Sequence, residues 1–330
     1  MSTTSSTETR RSGASDRLRQ RFASLQGSSM VLLVLVALVA VFAVLSPHFF
    51  TIQNLYQILL VVSVVGVMSA GQTYVIVTGG IDLSQGAVVG LAGVSAALVM
   101  SDGGSLWLGL LTGLAVGALA GVVNAGMVTW MKLPPFIATL GSLSVAQGLA
   151  LIITGGQPVF GLPQGLAQFG ASGIGGFLPN VTIVMILVVV VLHFYLARTV
   201  TGRHIYSIGS NQRAATLAGV PIRPNLFKTY ILSGLTAAIA GIMLLAWTNS
   251  GVAAAGDGRE LQAIAAVVIG GGSLAGGEGT VLGALIGALL MAVLGNGTQL
   301  LGVSSYLQDV LLGLVVIFAV YTDQFRRKTL

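Results

Sequence analysis

The stretch GLLTGLAVGALAGVVNAG, residues 109–126, decides the fold class. It carries no charge, and an apolar run of about this length crosses the roughly 30 Å hydrocarbon core of a bilayer as one helix. Gly109, Gly113, Gly117 and Gly121 recur every four residues, so they stack along one helix face and let another backbone approach closely. A second stretch, GTVLGALIGALLMAVLGNG from Gly279, repeats the pattern with Gly279, Gly283 and Gly287. The likeness fits an internal repeat, and it also fits any two glycine-rich membrane helices.

Outward from these two stretches, apolar runs predict about ten spans, near residues 30–46, 58–78, 86–101, 106–130, 136–154, 180–197, 229–249, 261–273, 280–297 and 304–322. The eighth is too short to cross comfortably and reads as a re-entrant or broken helix, which needs protein or a water-filled cavity around its free backbone groups. The expectation is an all-α polytopic membrane protein with re-entrant or broken helices. If the repeat is real, its halves are inverted about an axis in the membrane plane.

Composition agrees. Of 330 residues, 55% are hydrophobic and 7% charged, against roughly 25% charged in a soluble domain. The net charge of +6 sits at the ends of apolar runs and not on one solvated face, which argues against nucleic acid and for the positive-inside rule. Placing the N- and C-termini in the cytoplasm puts Arg10, Arg11, Arg17, Arg19, Arg21, Lys132, Arg198, Arg203, Arg213, Arg223, Lys228, Arg326, Arg327 and Lys328 on that side and leaves Arg259 outside it. Residues 1–29 read as a disordered basic cytoplasmic tail, residues 30–323 as the membrane domain and residues 324–330 as a second cytoplasmic tail. The first apolar run lacks a strong cleavage pattern and reads as a retained helix, not a signal peptide.

Chemistry is limited by what is missing. Cysteine is absent, and His48, His193 and His204 have neither metal-ligand spacing nor a hydrolytic partner set. No Walker A run occurs, so ATP is not bound that way, and no ladder of intramembrane acids suggests a proton-driven carrier. Neither a metal, a cofactor nor an enzymatic reaction is expected of this chain.

Five stretches carry polar groups. TGGIDLSQG, from Thr78, places Asp82 at a membrane helix end; Asp82 or Ser84 either caps the following span or faces a solute. GDGRELQAIAAVVIGGGSLAGGEG, from Gly256, has the capping-box spacing Asp257 to Glu260, then glycines including Gly270 and Gly271 that permit a hinge. Asn124 and Asn296 stand at corresponding points of the two glycine-rich spans, where they bond across helices or bind a polar solute. Within the loop 198–228, GRHIYSIGSNQRAATLAGVPI from Gly202 predicts a short helix capped by Ser210 or Asn211 and stopped by Gly219 and Pro221. Its apolar face is Ala214, Leu217 and Ala218, with Arg213 on the polar side, suited to a partner's groove or to the lipid headgroups.

With LPPFIATLGSLSVAQG from Leu133, these stretches make the chain similar, from about Asn54 to Asp323, to the permease subunits of ATP-binding-cassette importers of the ribose, xylose and galactose type. Gln85, Thr201 and Gly272 depart from the family's pattern. The resemblance implies a permease homodimer in a bacterial inner membrane, working by alternating access on a monosaccharide. The implied partners are a separate ABC ATPase subunit, a periplasmic or lipid-anchored sugar-binding protein, a second copy of the chain and membrane lipid. Gly202, Arg203, Gly209, Asn211, Arg213, Ala214, Leu217 and Gly219 become the expected ATPase-coupling residues. Asp82, Ser84, Asn124, Glu260, Gly270, Gly271 and Asn296 are the candidate pathway or gate residues. The competing reading is an ATP-independent carrier or channel for a small polar solute.

Overall fold

The computed structural model describes residues 31–328, so the predicted tail 1–29 lies outside the described residues. Among the described residues thirteen α-helices follow one another: α1 (Val31–Leu45), α2 (Ile52–Val77), α3 (Gln85–Met100), α4 (Leu106–Thr129), α5 (Pro135–Thr154), α6 (Gln164–Ala171), α7 (Asn180–Arg198), α8 (Val200–Ser210), α9 (Gln212–Leu217), α10 (Ile222–Thr248), α11 (Arg259–Ile269), α12 (Val281–Leu300) and α13 (Ser305–Lys328). Among the described residues, seven helical segments are long and apolar enough to cross a membrane, α1 and the apolar part of α13 are shorter, and α11 has 11 residues. At 1.5 Å per residue α11 is about 16 Å long, roughly half the hydrocarbon thickness, as the shortness of the eighth apolar run predicts.

The helices depart from the predicted spans mainly at their ends. α2 begins at Ile52 and α10 at Ile222, one to two turns before the apolar runs, because polar residues such as Asn54 and Asn225 continue the helix beyond its greasy part. α13 runs through Asp323 to Lys328, so the domain boundary predicted there falls inside a helix. The loop 198–228 is mostly helical, comprising α8, α9 and the first two turns of α10. Between α5 and α7 lie α6 and a small antiparallel pair, β1 (Gly173–Ile174) and β2 (Leu178–Pro179), which hydrophobic length did not reveal.

Packing fixes the relative directions. α2 is the enclosed helix: every residue from Val62 to Val77 is buried. α4 buries one stripe, Gly109, Gly113, Gly117, Gly121, Asn124, Ala125 and Thr129, while Leu111 and Leu119 on its other side are each 63% exposed. A methyl carbon on Gly117 would come within 2.4 Å of the Gly234 carbonyl of α10, so α4 and α10 meet backbone to backbone. Gly117 opposes Gly234 and Gly121 opposes Tyr230, so α4 and α10 are antiparallel. Likewise α2 and α10 are antiparallel, with Gly71 against Thr236 and Gly80 against Tyr230. α12 opposes α2 too, since Gly66 meets Leu285 and Thr73 lies beside Gly279. α4 and α12 therefore run in opposite directions, as the two glycine-rich stretches must in an inverted repeat.

The same relation extends to the short helices. α3 follows a break after α2 and returns along α4, whose Gly113 faces Ala92; α11 follows a break after α10 and returns along α12, whose Gly287 faces Ala266. Each half thus reads long helix, extended segment, short helix, glycine-striped helix, with the second half inverted.

Candidate functional site

The two breaks enter from opposite ends of the bundle, and the second packs against the start of α3, the helix that follows the first. The first runs from Thr78 to Ser84, with Gly79 at φ +80°. The second leaves α10 at Asn249 (φ +51°) and reaches α11 at Gly258 (φ +78°). Gly90 of α3 faces the Ala253 carbonyl, and Gly86 faces the Gly256 carbonyl and the carboxylate of Glu260; an added Cβ would come within 2.0 Å of the first and the last of these oxygens. Only glycine admits that approach. Glu260 opens α11 but makes no capping box with Asp257: Gly258 takes the N-cap position, and no side chain caps the helix.

Beside that contact lies a sealed polar cluster. Asp82 is 1% exposed, and its Oδ1 accepts from the Ser84 N–H (2.9 Å) and the Ser84 hydroxyl (2.6 Å), while Oδ2 accepts from the hydroxyl of Ser233 on α10 (2.6 Å). Asn124 of α4 donates to Ser84 Oγ (2.8 Å) and accepts from the Ser142 hydroxyl of α5. Gln85 donates to Ser233 Oγ (2.8 Å) and to the Met68 carbonyl (3.3 Å). With its amide turned to match its neighbours, Gln72 of α2 bonds both the N–H and the carbonyl of Asp82. The Thr139 hydroxyl of α5 donates to the Ile81 carbonyl (3.0 Å). Four helices therefore close on the first break, and Asp82, Ser84 and Asn124 are brought together. In this conformation they face each other and not an open path.

The remaining candidates lie elsewhere. Asn296 exchanges two amide hydrogen bonds with Asn54 of α2 (2.9 and 2.7 Å), a link across helices at the far end of α12. Gly270 packs against the Gly283 carbonyl of α12, and Gly271 turns the chain at φ +94°. Thr280 caps α12 by accepting from the Gly283 N–H, while Glu278 lies exposed just before it.

The α8–α9 arm sits where the two halves meet. Asn211 caps α9 by accepting from the Ala214 N–H (3.0 Å), and Gly219 follows the helix at φ +78°. Ala215 turns inward and is buried, which leaves the predicted apolar face of Ala214, Leu217 and Ala218 outward; Leu217 is 90% exposed. Arg203 and Arg213 are exposed, whereas Gly202 is buried against the Leu196 carbonyl. Gly209 packs on the carbonyl of Val77 at the start of the first break, and the Gly277 N–H, between α11 and α12, donates to that same carbonyl (2.8 Å). Tyr206 donates to the Gly279 carbonyl (2.6 Å), and burial pushes its phenol above the usual range.

Sequence reading missed Gln72, Ser142 and Ser233, single polar residues within apolar runs, and Asp323, whose carboxylate accepts from Ser273 and from the Leu274 N–H. For Gln85 a signal existed, its departure from a familiar motif.

Comparison with known proteins adds the following. The family described as branched-chain amino acid transport system, permease component, matches residues 54–320. A ribose import permease protein of Escherichia coli strain K12 is 42% identical over 295 residues, covering 88% of this chain and 92% of the relative. A fructose import permease protein of Rhizobium meliloti is 37% identical over 319 residues, 94% of this chain and 88% of its own. A D-allose transport system permease protein of Escherichia coli strain K12 is 33% identical over 320 residues, covering 96% and 98%. No solved structure matches the chain.

Proposed function

Because the chain belongs to the family of branched-chain amino acid transport system permease components, we infer that it is the membrane-spanning permease subunit of an ATP-binding-cassette importer. Its cargo is a monosaccharide. The family description names amino acids, but ribose, fructose and D-allose are what the names of the reported relatives carry, and those alignments cover most of both chains.

ATP hydrolysis resides in a separate subunit, since this chain has no Walker A run. The observation that carries the reading is the α8–α9 arm: it presents Leu217 and Ala214 outward and is seated by Gly209 where the first break meets the α11–α12 connection. A partner that grips the outward face can therefore move the places where the membrane path is interrupted, which is how alternating access is driven. In this reading Arg203, Asn211, Arg213 and Gly219 shape the docking surface, and Gly202 seats α8 against the end of α7. Glu260 works beside the second break, Gly270 and Gly271 at the turn that leaves α11, and Asn296 holds the outer end of α12. The arm and both termini face the cytoplasm, a binding protein delivers sugar from the other side, and a second copy completes the path.

The test is sugar uptake into proteoliposomes. ATP-dependent uptake is expected only when the chain is assembled with its ATPase and binding protein. Uptake by the isolated chain down a sugar gradient would favour the carrier reading instead.

A further inference from the structure

We propose that Asp82 is a positioning residue that fastens the start of α3 to α10, the helix that continues directly from the coupling arm, so that the two shift as a unit during transport. The assignment rests on the permease reading above.

The hydrogen bonds have a direction. Asn124 donates to Ser84 Oγ and Ser84 donates to Asp82 Oδ1; Gln85 donates to Ser233 Oγ and Ser233 donates to Asp82 Oδ2. Two chains of donors, from α4 and α3, thus end on the two oxygens of one carboxylate. A carboxylate placed only to cap α3 would spend its oxygens on the free N–H groups of that helix. Here one N–H, that of Ser84, is engaged, and Oδ2 goes instead to Ser233, 151 residues away in sequence. An acid enclosed among apolar helices is costly unless its oxygens are filled, so the sites that fill them are held to it tightly.

The position of Ser233 gives that tie a mechanical use. α10 starts immediately after Pro221, and Asn225 donates back to the Pro221 carbonyl (2.7 Å), joining the arm to the helix. Ser233 lies three turns further along, about 16 Å from the helix start. On the other side of Asp82, Ser84 and Gln85 lead at once to Gly86, the residue against which Gly256 of the second break and Glu260 of α11 pack. Displacement of α10 is therefore handed through Ser233 and Asp82 to the start of α3, where the second break packs against it. Because Asp82 touches other protein groups and is sealed from outside, its role is to position and not to bind sugar.

The experiment uses the complete transporter, with ATPase and binding protein, in proteoliposomes, and reads sugar moved per ATP hydrolysed for Ser233→Ala, Ser233→Thr and Asp82→Asn. Ser233→Ala and Asp82→Asn should keep assembly and ATP hydrolysis while sugar per ATP falls about tenfold, within the range typical of coupling between sites. Ser233→Thr keeps the hydroxyl and should stay near the wild-type ratio. A structural role alone would lower the yield of complex and leave the ratio unchanged. Wild-type ratios in both Ser233→Ala and Asp82→Asn would overturn the assignment, as would a Ser233→Thr ratio as low as that of Ser233→Ala; if Asp82→Asn does not assemble, the two serine variants decide. A wild-type complex that moves no sugar on ATP would instead overturn the permease reading, and this assignment with it.

Discussion

Gly209 of α8 lies against the carbonyl oxygen of Val77, at the end of α2, so closely that a Cβ on Gly209 would sit 1.8 Å from that oxygen. Two backbones in such contact transmit displacement with little slack, because no side chain between them can change rotamer.

Gly209→Ala should therefore separate docking from transport. The methyl group must push α8 off Val77, an overpacking strain of about 1–3 kcal/mol. The outward face of α9 is untouched, so the ATPase should still co-purify while sugar uptake falls sharply. Normal uptake with Gly209→Ala would show that this contact carries no motion.

The Asn54–Asn296 pair should behave as one unit. Asn54 is 7% exposed, and each amide both donates to and accepts from the other. Asn296→Leu leaves a buried acceptor without its donor, at a cost of about 1–3 kcal/mol, whereas replacing both residues by Leu should recover part of the loss. Thermal unfolding in detergent of the two single variants and the double variant checks this. Losses that simply add would mean that the amides are not coupled.

Orientation can be read by labelling, because the chain has no native cysteine. Leu217 and Phe160 are 90% and 64% exposed, and neither stands at a strained backbone position. Leu217→Cys should react with an impermeant thiol reagent only from the cytoplasmic side, and Phe160→Cys only from outside, as the basic residues beside the arm require. Asn225 makes a poor probe for the same purpose, since it is 2% exposed. Reaction of Leu217→Cys in intact cells would invert the topology.

Hydrophobic length revealed the ten apolar segments because burying one in a bilayer depends on its sum, not on its neighbours. It placed the starts of α2 and α10 too late, since Asn54 and Asn225 are helical yet polar. The α9 cap was legible because Asn211, Gly219 and Pro221 act locally. Its inward face was not: Ala214 and Ala215 look alike in sequence, and tertiary packing chose Ala215. The Asp257–Glu260 spacing misled for a local reason, the positive φ of Gly258. Ser233 and Gln72 were invisible as partners of Asp82, for a lone hydroxyl or amide in an apolar helix gives no hint of which distant residue it faces.

The central claim is that the outward face of α9 receives the ATPase and that the breaks respond. Leu217→Asp and Ala214→Asp place a charge on that face without touching a membrane span or the buried Ala215. The direct measurement is co-purification of the ATPase with each variant, together with ATP-dependent sugar uptake by the complete system. Both variants are predicted to insert normally, to lose ATPase association by about tenfold or more, as burying an unpaired charge in an interface requires, and to abolish uptake. Wild-type association and uptake with Leu217→Asp would contradict the account and leave α9 as a helix lying on the lipid headgroups.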